Sequence, residues 1–296
     1  MRIQKILEFA SNRGMAYRFE GDAQCEVKGF STLKNYKKNT LTWAKNELAY
    51  RYRMEDKLLV IAQESLQINA PNVIYTEKSK QLFFDLVSYI AEQTDGQPGE
   101  EKEAIGTGTV LGTGVSLGKN VRIGCNCVIK GNVWIGDGTV IWNNVTILNH
   151  VRIGAHCEIQ SGCVIGHDGF AWNEKDRNEK QMIRHYGGVE ISDDVFLGPN
   201  CIVDRGEIDN TVIGRGNKID AGCFIAHNVV TGEHVVMITG SRLYGSVELG
   251  DRVYIASAIV RNQCKIGEDA TVGIGAVVTR DIPANAVVAG VPAKKI

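Results

Sequence analysis

Histidine and cysteine are the side chains of this sequence with the most chemistry to offer near neutral pH. Six histidines occur: His150, His156, His167, His185, His227 and His234. An imidazole titrates near neutrality and can act as a general base or ligate a metal. Eight cysteines could signal disulfides or zinc. However, Cys125-Asn126-Cys127 places a single residue between its thiols, where zinc sites usually place two to four. These spacings lead us to expect no metal. Which histidine does chemistry depends on the elements that hold it.

Those elements are announced by a period of six. A β-branched residue or leucine recurs at Ile105, Leu111, Leu117, Ile123, Ile129, Ile135, Ile141, Ile147, Ile153, Ile159 and Ile165. Glycine often follows directly, and a small or β-branched residue stands four positions after each anchor. The series resumes at Ile191, Leu197 and Val203, skips four residues, and runs from Ile213 to Ile255. One residue is missing near Arg261, after which Ile266, Val272 and Val278 complete it. Six fits neither an α-helix nor an alternating strand. It predicts short strands joined by turns, three hexads to a triangular coil, with positions 18 apart stacked on one face. Cys127, Cys157, Cys163, Cys201 and Cys223 fall in the inward small-residue slot, as apolar filling. His227 sits two residues after its anchor, and a step of 18 leads to Gly245, where a backbone N–H can approach a substrate closely. His150, His156 and His234 are expected on exposed turns.

The rhythm fails at two insertions. Residues 167–189 form a polar excursion with Trp172, Arg177, Arg184 and His185, and Asp204-Arg205-Gly206-Glu207-Ile208-Asp209-Asn210 forms a shorter one. A regular scaffold interrupted by a charged loop is where binding residues gather. Residues 1–95 differ in kind. Helical spacing at Ile3, Ile6, Leu7 and Ala10 and at Phe83, Leu86, Val87 and Ile90 brackets strands near Leu41–Ala44, Leu58–Ala62 and Val73–Tyr75. The polar stretch 96–104 reads as a linker. We therefore expect a mainly β protein: a small α/β domain over 1–95, then a hexapeptide-repeat parallel β-helix over 105–296.

The repeat resembles that of the hexapeptide-repeat acyltransferases. The resemblance implies a left-handed helix, a homotrimer and clefts between columns. Three segments narrow it: Gly166-His167-Asp168-Gly169-Phe170, Asp204-Arg205-Gly206, and Ile219-Asp220-Ala221-Gly222-Cys223-Phe224-Ile225-Ala226-His227-Asn228. Together they resemble the UDP-3-O-acylglucosamine N-acyltransferases of lipid A biosynthesis. That resemblance implies acyl transfer from a thioester to a UDP-linked amino sugar, with no permanently bound cofactor. His227 would be the base and the Gly245 amide the oxyanion donor, with Asp220 or Asp168 orienting His227. Trp43 and Asn46 would hold the uracil, and His167, Asp168 and Phe170 would contact substrate.

Two departures bear on the acyl donor. Gln263 stands where that family has a second histidine, and the chain stops at Ile296 without the family's C-terminal helices. The closing Ala289-Gly290-Val291-Pro292-Ala293-Lys294-Lys295 is instead similar to the ends of acetyl-CoA-dependent sugar acetyltransferases. The donor is thus acyl carrier protein or coenzyme A. A non-catalytic scaffold and a zinc carbonic anhydrase are the competing classes, the latter needing three converging histidines. Net charge −1 over 296 residues gives no general electrostatic reason to bind nucleic acid. With no membrane-spanning apolar run and no signal-peptide pattern, a cytoplasmic location is expected.

Overall fold

The computed structural model describes residues 1–94 and 104–296. The chain divides into two compact units, Met1–Glu100 and Glu101–Ile296. The linker expected at 96–104 lies outside the described residues but for Ala104.

The first unit contains α1 (Ile3–Asn12), β1 (Arg18–Glu20), β2 (Leu41–Ala44), β3 (Leu59–Ala62), β4 (Val73–Tyr75) and α2 (Ser79–Thr94). The sheet order is β1-β4-β3-β2, parallel except for β1 against β4. Alternation along β3 decides the packing. Leu59 and Ile61 join Ile3, Ile6, Leu82 and Leu86 under the helices, while Val60 and Ala62 face Met54, Leu66 and Tyr75.

The second unit is a three-sided column of two- to five-residue strands. Its three parallel faces carry ten, nine and eight strands among the described residues, the tenth strand of the first face running antiparallel. Val140 pairs with Arg122 on one side and Glu158 on the other, the predicted step of 18. Backbone N–H groups donate across coils at about the same length throughout, as from Gly136 to Ile153 O at 2.8 Å and from Val236 to Val253 O at 2.9 Å. The anchors point inward: Ile129, Ile147, Ile165, Leu197 and Ile225 are all but fully buried. Thr231 is polar in an anchor position, and its hydroxyl is matched by the buried Asn217 amide at 2.6 Å.

The corners explain the composition. The residue three after an anchor adopts a left-handed conformation, as at Asn126 (φ 55°), Asn144 (φ 58°), His156 (φ 55°) and Gly138 (φ 68°). Only glycine and short polar residues reach this region cheaply. His150, His156 and His234 are exposed occupants of such corners. All eight cysteines are free thiols, the five predicted inward ones buried. The missing residue falls between Ile255 and Val260, ahead of Arg261, because Leu243 pairs with Val260 and Ile255 with Val272, each a step of 17.

Because each coil packs only on its neighbours, a cavity in mid-column cannot be refilled from the surface. Ile165→Ala should lower stability by about 2–5 kcal/mol in urea unfolding, while the same truncation at the 83%-exposed Ile208 should cost under about 0.5 kcal/mol.

Candidate active site

The two breaks in the rhythm meet over His227. Asp168 pairs with Arg205 where the strand after Ile165 bulges. The excursion leaves the column there, forms a hairpin of Trp172–Glu174 on Lys180–Met182, and returns alongside the shorter insertion. On the return, the Tyr186 N–H donates to Glu207 O at 2.8 Å and the Gly187 N–H to Gly206 O at 3.1 Å. Arg205 fastens the junction, its guanidinium donating to Gly166 O and Asn149 O, both at 2.7 Å.

His227 is half-buried within this frame. Its Nδ1 lies 3.0 Å from Asn228 Oδ1, which also accepts the Glu207 backbone N–H at 3.1 Å. Since that backbone group can only donate, Asn228 presents oxygen, and His227 Nδ1 must carry a proton to bond with it. The unprotonated nitrogen is therefore Nε2. It faces Gly245: a Cβ on Gly245 would sit 2.6 Å from it, closer than any side chain allows.

The Gly245 amide is open. The equivalent N–H groups of Lys119, Cys125, Ala155 and Glu233 are capped at 2.7–2.8 Å by an Asp or Asn side chain on the following coil. At Gly245 that place belongs to Asn262, which makes no such bond; among the described residues the Gly245 N–H has no partner. A base nitrogen thus lies beside a glycine whose N–H is unengaged, the two kinds of group an acyl-transfer site requires.

The other expected residues distribute as follows. His167, Asp168 and Phe170 line a groove of about 490 Å³ with Met182, Ile202, Asp204 and Phe224. Asp168 takes ion pairs from Arg184 at 3.3 Å and Arg205 at 3.7 Å. Asp220 is not brought to His227, because its carboxylate accepts from the adjacent Ala221 N–H and from the Thr239 hydroxyl on the next coil. The group in orienting position is Asn228, backed by the Glu207 carboxylate 3.9 Å from Nδ1. Sequence reasoning had the Asn228 signal in hand, a short polar residue at a left-handed corner (φ 60°) beside the base. His185 is also brought in, buried and edge-on to His227 with ring centroids 5.3 Å apart. Gln263 stacks one coil beyond Gly245, its N–H donating to Gly245 O at 2.9 Å.

In the first unit, Trp43 packs on Phe83 and Phe84 and donates from Nε1 to Ser79 Oγ at 3.3 Å. It lines a cavity of about 590 Å³ with Lys45, Lys78 and Lys80. Asn46 caps the short helix Glu47–Arg51 and lines a neighbouring cavity of about 390 Å³; Gln63 borders both. Trp43 and Asn46 therefore do not face one common cavity.

Comparison with known proteins bears on the fold. The family described as "Bacterial transferase hexapeptide (six repeats)" matches residues 132–167. Among solved structures, the UDP-N-acetylglucosamine O-acyltransferase of Moraxella catarrhalis covers 66% of this chain and 74% of its own at TM-score 0.61 and 24% identity. A UDP-N-acetylglucosamine acyltransferase of Francisella novicida covers 63% and 67% at TM-score 0.57 and 26% identity. The column is a left-handed β-helix of hexapeptide repeats. A UDP-3-O-acylglucosamine N-acyltransferase of Methylorubrum extorquens is 40% identical over 111 residues, 37% of this chain and 32% of that protein. One of Bordetella avium is 38% identical over 101 residues, 34% and 28% respectively. The chain spans about a third of the length of these curated relatives.

Asp204, buried on the groove wall, has its carboxyl pushed up to about 6 by burial, with Asp168 adding to the rise and His167 and His227 opposing it. Its folded pKa exceeds the ordinary 3.8, so the native state keeps a proton that the unfolded chain loses between these values. The stability this proton confers is complete below about pH 4 and is lost as pH rises through about 6. Asp204→Asn stays neutral throughout. Allowing for residual solvent screening, it should exceed wild type by about 1–2 kcal/mol at pH 8 and match it near pH 4 in urea unfolding.

Proposed function

We propose that this chain is an acyltransferase that moves an acyl group from a thioester to the amine of a UDP-linked amino sugar. The observation that carries the reading is the His227 Nε2 lone pair set against the uncapped Gly245 amide. The relatives named UDP-3-O-acylglucosamine N-acyltransferase support the same reaction class and a place in lipid A synthesis.

In this reading the amine attacks the thioester carbonyl while His227 Nε2 takes its proton. The Nδ1–H, held by Asn228 with the Glu207 carboxylate behind it, steadies the imidazolium that forms. The carbonyl oxygen, now negative, accepts the Gly245 N–H. Collapse breaks the C–S bond, and the imidazolium returns its proton to the departing thiolate. The product is an amide.

The apolar wall of the groove, with Phe170, Met182, Ile202 and Phe224, suits a long acyl chain and favours acyl carrier protein as donor. The exposed closing strand Lys294–Lys295 is the observation that favours coenzyme A as a second reading. The Trp43 cavity, with three lysines on its rim, suits a nucleotide whose base stacks on the indole and whose phosphates meet the ammonium groups. Asp168 and His167 would border the reacting acyl group. Assembly as a homotrimer and a cytoplasmic site of action complete the proposal. Among the described residues no helix is long and apolar enough to cross a membrane.

Purified protein given UDP-amino sugars with hydroxyacyl carrier protein or acetyl-CoA should consume the carrier-protein thioester. His227→Ala should lower kcat by about 10²–10⁴-fold. Gly245→Ala should be as damaging although its backbone admits alanine, because the new methyl displaces the imidazole; near-wild-type turnover in either folded variant rejects the mechanism. Trp43→Ala should raise KM for the UDP sugar by about 10-fold with kcat little changed.

A further inference from the structure

Beyond the catalytic pair, the two insertions bring His185 and Glu207 onto His227. One ligand atom of each lies within 4.8 Å of those of the other two. The trio draws on three separate stretches of chain: the long excursion, the short insertion and the repeat itself.

The hydrogen bonds fix what these groups can offer. His185 Nδ1 lies 3.2 Å from Ile183 O, an acceptor only, so Nδ1 carries the proton and Nε2 is left with a lone pair. That nitrogen is buried, in a residue only 3% exposed, and has no hydrogen-bond partner. A Cβ built on Gly169 would lie 2.9 Å from it and equally close to His227 Cδ2, which places it on the His227 side of the cluster. His227 has the same arrangement, Nδ1–H on Asn228 Oδ1 and Nε2 unprotonated. Imidazoles that bind metals are held in this way, one nitrogen donating to an oxygen and the other free to ligate. The Glu207 carboxylate is half-exposed and 3.9 Å from His227 Nδ1, so it joins the two Nε2 lone pairs by swinging along the ring edge. Asp204, close by, adds acidity to the surroundings, whereas the Arg205 guanidinium is turned to Gly166 O, Asn149 O and Asp168.

We propose that His185, Glu207 and His227 form a binding site for a divalent cation of the zinc class. A buried lone pair without a donor carries an unrelieved desolvation cost, and a cation removes it. Two imidazoles and one carboxylate are a recurrent three-ligand set for zinc, with metal–ligand distances of about 2.0–2.2 Å and a fourth position open. Such distances put neighbouring ligand atoms about 3.4 Å apart, so a trio spread over as much as 4.8 Å needs to close by up to about 1.4 Å, which the half-exposed Glu207 side chain can supply. The bound cation would take the electrons that make His227 a base, so the loaded protein would be inactive. That consequence rests on the acyltransferase reading; the binding itself does not.

The test uses tag-free, metal-stripped full chain without substrate. Zn²⁺ is titrated in competition with a chromophoric chelator, and Co²⁺ is followed by its visible ligand-field bands. The expected result is one Zn²⁺ per chain, a tetrahedral Co²⁺ spectrum, and affinity weakened by about 100-fold or more in both His185→Ala and Glu207→Gln. Apo melting curves serve as the folding control, with the half-exposed Glu207→Gln deciding if His185→Ala is unstable. Absence of stoichiometric zinc overturns the proposal, as does equal affinity in wild type and a folded variant, which would move the metal to surface histidines.

Discussion

The parallel backbone ladder between coils is the constraint on which everything else depends. Each short strand is too small to be stable alone, and its N–H and C=O groups find partners only on the coils above and below. The ladder thereby fixes a translation of one strand spacing, about 4.8 Å, for every 18 residues. His227 and Gly245 are related by that single step. A ring on one coil and a hydrogen in place of a side chain on the next leave a gap that holds the imidazole against a backbone amide. The site inherits its tolerance from the ladder rather than from a loop, which is the condition under which a base and an oxyanion donor stay in register.

A column with perfect rhythm would nevertheless leave His227 on an exposed edge. The insertions prevent this. The Arg205 guanidinium ties the bulge at Gly166 to the Asn149 carbonyl, and the returning excursion lays its N–H groups on the short insertion. This covers Asp204 and His185 while leaving one side of the groove open. Burial in such a partly covered place disfavours the charged form of a carboxyl, which is why Asp204 holds its proton well above the ordinary carboxylate range.

What could be read beforehand follows from where the ladder reaches. Register along the column is dictated by a period of six, so the inward cysteines, the corner histidines and the His227–Gly245 step were legible residue by residue. The strands Leu41–Ala44 and Val73–Tyr75 were equally plain from their short apolar runs. The missing residue was legible only as lying near Arg261, because Ile255-Ala256-Ser257-Ala258-Ile259-Val260 offers two apolar candidates for the anchor, and only pairing decides for Val260. His185 carried no signal, since an excursion outside the repeat has no register to assign. Asp220 was plausible by type, but its own turn and Thr239 on the next coil already use both carboxylate oxygens. Asn46 likewise has an oxygen engaged, as the cap of a short helix that its own spacing did not announce.

The tautomer of His227 joins these levels. Asn228 stands at a corner because a left-handed residue is required there, and its side chain is turned oxygen-first by the Glu207 amide. That amide is present only because the repeat is interrupted after Val203. A fold requirement and an insertion together place the proton on Nδ1 and the lone pair on Nε2 beside Gly245. The same lone pair answers to two kinds of electrophile, the proton of an attacking amine or a cation shared with His185 and Glu207. Neither can be accommodated without excluding the other, because a ring whose Nδ1 is already protonated has only one pair of electrons to give.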